Sequence, residues 1–218
     1  MPMFIEAIWM VEPIETKEAI LEAIRQEGVG IDFEEIEIPA DVQVEVIGKK
    51  VKVKGPKGEV EKDFTHMPIH IVKDGNKIYV AVYARKRKQT KFLGTAATKI
   101  RKMIEGVRRR FVYIHKVVYR HFPIRVEVDR ERRLILIKGF YGRRDTIKVP
   151  IYGDVDIEIE YQAGSEIPDL IYLKGCDIEA VSLTSAALEN ACRLRGKYRK
   201  DIRIFYDGVW LWKKTQEE

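Results

Sequence analysis

From Ile36 onward the chain alternates apolar and polar residues in short runs, each closed by a glycine- or proline-bearing turn. The runs predict strands at Ile36 to Ile38, Val42 to Ile47, Lys50 to Lys54, Val60 to Phe64, Ile69 to Lys73 and Lys77 to Tyr83. Val42, Val44 and Val46 share one phase and Val51 with Val53 continue it, as in an antiparallel sheet with one buried face. Gly48, Gly55-Pro56-Lys57-Gly58 and Asp74-Gly75-Asn76 are the turns. The period then lengthens. Phe92, Ala96, Ile100, Met103 and Val107 fall on one stripe of a helix predicted from Lys91 to Arg110.

The same text occurs twice. Pro39, Val42, Val44 and Lys54-Gly55-x-x-Gly58 return 84 positions later as Pro123, Val126, Val128 and Lys138-Gly139-x-x-Gly142. Leu93-x-x-Ala96-Ala97 likewise returns as Leu183-x-x-Ala186-Ala187 after a slightly longer loop. This predicts an α+β fold of two tandem similar domains, each an antiparallel sheet packed with one main helix. The boundaries expected are an acidic N-terminal extension over 1–33, a first repeat over 34–111, a second over 112–213 and a tail over 214–218, with the join near Phe111 to Arg120. In the extension, Thr16 caps a helix to about Gln26, which Gly28 and Gly30 end. At the far end, Ile202 to Tyr206 and Val209 to Trp212 flank Asp207-Gly208, a pair that favours a tight hairpin turn.

Charge changes the picture. The chain carries a net +6 over its 218 residues, yet residues 1–46 hold two basic and twelve acidic side chains, so the remainder carries about +16. A cationic body of that size points to nucleic acid, because each Lys or Arg on a phosphate releases condensed counterions. No basic amphipathic helix with a broad apolar face accompanies the charge, which disfavours a membrane surface. No apolar run approaches the roughly 20 residues of a membrane span and no secretory signal is visible, so a soluble protein is expected. Cys176 and Cys192 read as small buried hydrophobes in a reducing cytoplasm.

The cations concentrate in three places. Residues 85–120 contain thirteen Lys or Arg against one acid, Glu105; Arg85, Lys86, Arg87, Lys88, Lys91, Arg108, Arg109 and Arg110 form a secondary candidate RNA-binding set. The same bias also fits a solvated helix face. Gly139-Phe140-Tyr141-Gly142-Arg143-Arg144 puts two aromatics between glycines beside two arginines, so Tyr141 can stack on an unpaired base while Arg143 and Arg144 hold phosphate. Equally, Phe140 or Tyr141 can fold back onto its own sheet. Arg195, Lys197, Tyr198, Arg199, Lys200 and Arg203 form a third, dense run with Asp201 as its one acid.

Asp154, Asp156, Glu158 and Glu160 alternate, so all four carboxylates leave one strand face; this reads as an exposed face over Val155, Ile157 and Ile159 in preference to a Mg²⁺ site. His66 and His70 are interrupted by Pro68, and His115 and His121 stand without a neighbouring carboxylate, so no metal set is assigned. Phosphate-loop, serine-elbow and zinc-protease motifs are absent, and no catalytic residue or cofactor is expected.

Four features together resemble the large-subunit ribosomal protein six family, in its archaeal and eukaryotic branch: EIEIPADVQVEVIGKKVKVKGPKGEVEKDF (35–64), LKGCDIEAVSLTSAALENA (173–191), KDIRIFYDGVW (200–210) and the duplication itself. The resemblance spans roughly residues 34–213 and leaves the first 33 uncovered. It implies a non-catalytic, ribosome-bound cytoplasmic protein that grips large-subunit rRNA chiefly through its second domain, near the sarcin-ricin region where translation factors dock, with other ribosomal proteins as neighbours and no homo-oligomer. Carried onto this chain, it points to Lys197 to Arg203 and the neighbouring second-domain loops; Lys174 completes the candidate RNA-binding set. Two other readings stand beside it: a tandem RNA-binding adaptor outside the ribosome, which uses the same basic surfaces, and a metal-dependent nucleic-acid hydrolase built on the acidic strand.

Overall fold

The computed structural model of the chain describes residues 31–83, 87–120, 122–162, 164, 167–194, 201 and 203–217. These fall into two compact units, one formed by the chain up to Lys54 with Glu61–Arg101, the other by Gly55–Val60 with the chain from Lys102 on. The fold is α+β, with antiparallel sheets throughout.

The first repeat runs β1 (Ile31–Glu37), β2 (Gln43–Ile47), β3 (Lys50–Gly55), β4 (Gly58–Asp63), β5 (His70–Asp74), β6 (Lys77–Tyr83) and α1 (Arg87–Arg108). Its strands form two sheets, β1-β6-β5 and β2-β3-β4. Val44 pairs with Val53 and Val46 with Val51. That register puts the valine phase read from the sequence on one side, where Val42, Val44, Val51 and Val53 are buried. On α1 the buried stripe is Leu93, Ala96, Ala97, Ile100, Met103, Ile104 and Val107. Phe92 is exposed, because the apolar face begins one residue, about 100° of helix, later at Leu93.

The first strand starts at Ile31, not Ile36, so Ile31, Asp32 and Phe33 belong to the sheet and not to an appendage. Phe33 meets Tyr79 of β6 at a ring separation of 6.4 Å. Several acids of this strand are answered within the unit. Arg101 binds Glu34 at 2.9 Å, Thr90 donates to Asp32 at 3.0 Å, and Lys77 pairs with Glu35. The acidic stretch is thus partly neutralised by α1 and β6.

The second repeat comprises β7 (Phe111–Val118), β8 (Arg125–Asp129), β9 (Leu134–Lys138), β10 (Ile147–Pro150), β11 (Asp156–Tyr161), β12 (Pro168–Gly175), α2 (Ile178–Ala191) and β13 (Gly208–Gln216). Its sheets are β10-β9-β8 and β11-β12-β7-β13. Read against the first repeat, β8-β9-β10 answers β2-β3-β4 and β7-β12-β11 answers β1-β6-β5, with β13 added beyond β7. The stretch expected to be a join is therefore an internal strand, paired with β12 on one side and β13 on the other. Flanking charge hid it: Phe111, Val112, Tyr113 and Val117 are buried between the three arginines 108–110 and Arg120.

Ile135, Ile137, Phe140, Ile171, Leu173, Val181, Leu188 and Val209 meet in one core, each worth about 1.5–3 kcal/mol of burial. Asp177 caps α2 by accepting from Glu179 N at 3.0 Å. His115 lies fully buried with Nε2 3.0 Å from Ser185 Oγ, and burial lowers its pKa to about 4 against the pull of Glu189. It is a core histidine. Cys192 is buried, its thiol pushed up to about 11, whereas Cys176 is only half-buried and donates to the Lys57 carbonyl at 3.4 Å.

The expected C-terminal hairpin is corrected. Arg203 and Ile204 form a turn, with Ile204 N and Phe205 N both donating to Asp201 O at 3.0 and 2.8 Å, and Phe205 to Asp207 is irregular. Asp207 is buried rather than at a turn tip, and Gly208 opens β13. The partner of β13 is β7, a long-range strand whose buried register outweighs the local turn preference of Asp-Gly.

Candidate nucleic-acid interface

In the first repeat Gly55 and Gly58 bracket a two-residue hairpin between β3 and β4; their counterparts, Gly139 and Gly142, open a longer loop that reaches β10 only at Ile147. The loop starts as a 3₁₀ turn in which Gly142 N donates to Gly139 O and Arg143 N to Phe140 O. Gly139 has φ 76°, and a Cβ there would come within 2.8 Å of the Pro123 carbonyl oxygen. Tyr141 holds φ 51°, an uncommon conformation for an aromatic residue.

This turn separates the two aromatics. Phe140 is 1% exposed and belongs to the core, while Tyr141 meets its ring edge-on at 4.7 Å and sends its hydroxyl to the Phe205 carbonyl, 3.1 Å away. Burial, with Asp207 nearby, raises the phenol above its ordinary pKa and keeps it a protonated donor. The hydrogen bond joins the 139–144 loop to the 201–206 segment.

Around that fastening the surface is aromatic and basic. Arg143 and Arg144 are exposed on one segment, and Arg203, Ile204, Phe205 and Tyr206 on the other. Phe122, 50% exposed, lies against the backbone of Gly142. Arg143 reaches Asp145 at 2.9 Å and Arg203 grips Asp201 with two nitrogens at 3.1 and 2.8 Å. These exposed pairs are worth little in water and yield readily to a phosphate. Arg144 has no ion-pair partner among the described residues.

The remaining candidates scatter. Arg195, Lys197, Tyr198, Arg199 and Lys200 lie outside the described residues, as do Arg85 and Lys86. Arg87 and Lys88 open α1, with Lys91 exposed in its first turns and Arg108 in its last. The secondary set is therefore divided between the two ends of one helix. Arg109 is exposed just beyond, but Arg110 is committed to Asp156 at 2.9 Å and to the Lys57 carbonyl. Lys174 stands on β12 with Glu158 at 2.6 Å. On the acidic strand, Asp156, Glu158 and Glu160 are thus each held, the last by the Tyr172 hydroxyl at 2.7 Å, and Asp154 precedes the strand. Among the described residues no group of three or more His, Cys, Asp or Glu could hold a metal ion.

Phe122, Phe205 and Tyr206 are absent from the sequence-derived set. In sequence the last two read as part of a hairpin strand; for Phe122, only tertiary placement reveals the ring beside Gly142.

A model of the family described as Ribosomal protein L6 matches residues 38–110. Proteins named large ribosomal subunit protein uL6 are similar over most of the chain. That of Staphylothermus marinus is 38% identical over 187 residues, 85% of this chain and 96% of its own length. The protein of Desulfurococcus amylolyticus is 38% identical over 84% of this chain and 95% of its own. The Methanothrix thermoacetophila protein is 39% identical over 82% and 95%. No helix among the described residues is long and apolar enough to cross a membrane.

Proposed function

Since the chain belongs to the ribosomal protein L6 family, we propose that it is a non-catalytic structural constituent of the large ribosomal subunit, bound in the cytoplasm to large-subunit rRNA near the sarcin-ricin region. The observation that carries the RNA contact is the Tyr141–Phe205 hydrogen bond, which sets Arg143, Arg144 and Phe122 beside Arg203 and Tyr206. Arginines fix phosphates and carry no sequence information, while exposed rings against glycine backbone suit an unstacked base; together they read RNA shape. The basic run Arg195, Lys197, Arg199 and Lys200 immediately precedes Asp201 and Arg203 in the sequence. The carboxylates Asp156, Glu158 and Glu160, each engaged by a neighbouring side chain, support a structural role over hydrolysis.

Large-subunit rRNA binding measured against salt tests the assignment. Replacing Lys197, Arg199, Lys200 and Arg203 by Ala is expected to flatten the log-log salt slope by about one unit per lost phosphate contact without unfolding the chain. An unchanged slope overturns the placement. Crosslinking in cells, with sequencing of the bound RNA, separates the ribosomal reading from a free-standing adaptor: one rRNA region is expected, and crosslinks spread over many RNAs exclude it.

A further inference from the structure

The loop cluster is not the only aromatic surface. Trp212 is 63% exposed, and the Lys116 ammonium lies over its ring, 5.9 Å from the centroid. An indole left in water gains little from burial, so packing does not account for it. Strand pairing explains its position. β13 lies at the edge of its sheet and puts Trp210 opposite Lys116; the register then slips between Leu211 and Lys213, making Trp212 the unpaired residue of a bulge. Bulges at sheet edges re-aim side chains. Lys213 and Lys214 follow at once, both exposed, and neither β7 nor β13 contains an acid.

We propose that Trp212, with Lys116 and Lys213, forms a stacking platform for an unpaired RNA base, the indole taking the base and the ammonium groups its flanking phosphates. The proposal rests on the RNA-binding reading above and adds a second contact point to it. The alternative occupant of a strand edge is a peptide that extends the sheet. That mode needs an unbroken ladder, which the bulge interrupts and the lysines discourage. A base requires only a ring face and nearby cations, and the charged side chains carried by these two strands are all lysines, the Glu189 carboxylate being engaged by Leu211 N at 2.8 Å.

The test uses the full chain, a twelve-nucleotide oligouridine and a twelve-base-pair RNA duplex, with tryptophan fluorescence and affinity as readouts. Oligouridine is expected to quench the wild-type emission. Trp212→Ala should lose most of that quenching and about tenfold in oligouridine affinity, while duplex binding stays unchanged; Trp212→Phe should keep most of the affinity. Equal oligouridine affinity in wild type and Trp212→Ala overturns the platform. If large-subunit rRNA is still bound with its salt slope intact in that case, the platform alone fails; if the wild type binds neither RNA, both readings fall. Capture of a polyglutamate peptide at Trp212 in place of oligouridine would make the surface protein-facing and overturn it too.

Discussion

The Tyr141 hydroxyl donates to the Phe205 carbonyl at 3.1 Å, and this one bond spans 64 residues of sequence to join two loops. Replacing Tyr141 by Phe removes the donor and keeps the ring. The expected cost is about 1 kcal/mol of stability, read from urea unfolding, and a fall of roughly fivefold in rRNA affinity if the fastening holds the bound geometry. Equal affinity in the two proteins would mean that the loops are positioned by packing alone.

Gly139 carries the turn that aims this loop. Ala at that position meets both a left-handed φ and the Pro123 carbonyl 2.8 Å from its Cβ. The expected loss is about 1–3 kcal/mol, checked by denaturant midpoint. Gly48 also has a positive φ but nothing near its side; Gly48→Ala should cost less, about 1 kcal/mol, from the backbone alone.

His115 makes stability depend on pH. Its folded pKa, about 4, lies below the ordinary 6.5 because burial disfavours the imidazolium. The unfolded chain therefore binds the extra proton between those values, so stability is complete above about pH 6.5 and falls as pH drops toward 4. Between pH 7 and pH 5 the loss should be about 2 kcal/mol. His115→Gln should remove this slope in urea titrations at the two pH values. A variant as pH-sensitive as the wild type would assign the slope to other groups.

Lys174 and Arg144 are both basic second-repeat candidates, but among the described residues only the first has an ion-pair partner: Glu158 holds it at 2.6 Å. A phosphate at Lys174 must displace that carboxylate. Arg144→Ala is therefore expected to lower the salt slope of rRNA binding by about one unit and Lys174→Ala by less than half of that. The reverse order would move the RNA surface from the loops to the sheet.

Periodicity made most of the fold legible. The valines of β2 and β3 and the stripe on α1 follow from side-chain phase, which local sequence records directly. The duplication at 84 positions exposed the second repeat for the same reason. Elements decided by distant partners were not legible. Asp207-Gly208 has the chemistry of a hairpin turn, yet β13 leaves its upstream neighbour and pairs with Phe111–Val118. In the candidate site, Arg143, Arg144 and Arg203 were readable from charge, whereas Phe122 at Gly142 and the bond from Tyr141 to Phe205 depend on loops meeting in space.

The pairing of Phe111 with Gln216 also sets a schedule for synthesis. In the first repeat, β1 finds β6 within about fifty residues; β7 waits for β13 until roughly a hundred more residues have been added. At typical elongation rates of about 5–20 residues per second, an apolar strand edge stays uncovered for about 5–20 s on the nascent chain. The second repeat closes last and at the highest loop-closure cost, so it is the part of the molecule that needs shielding while it is being made.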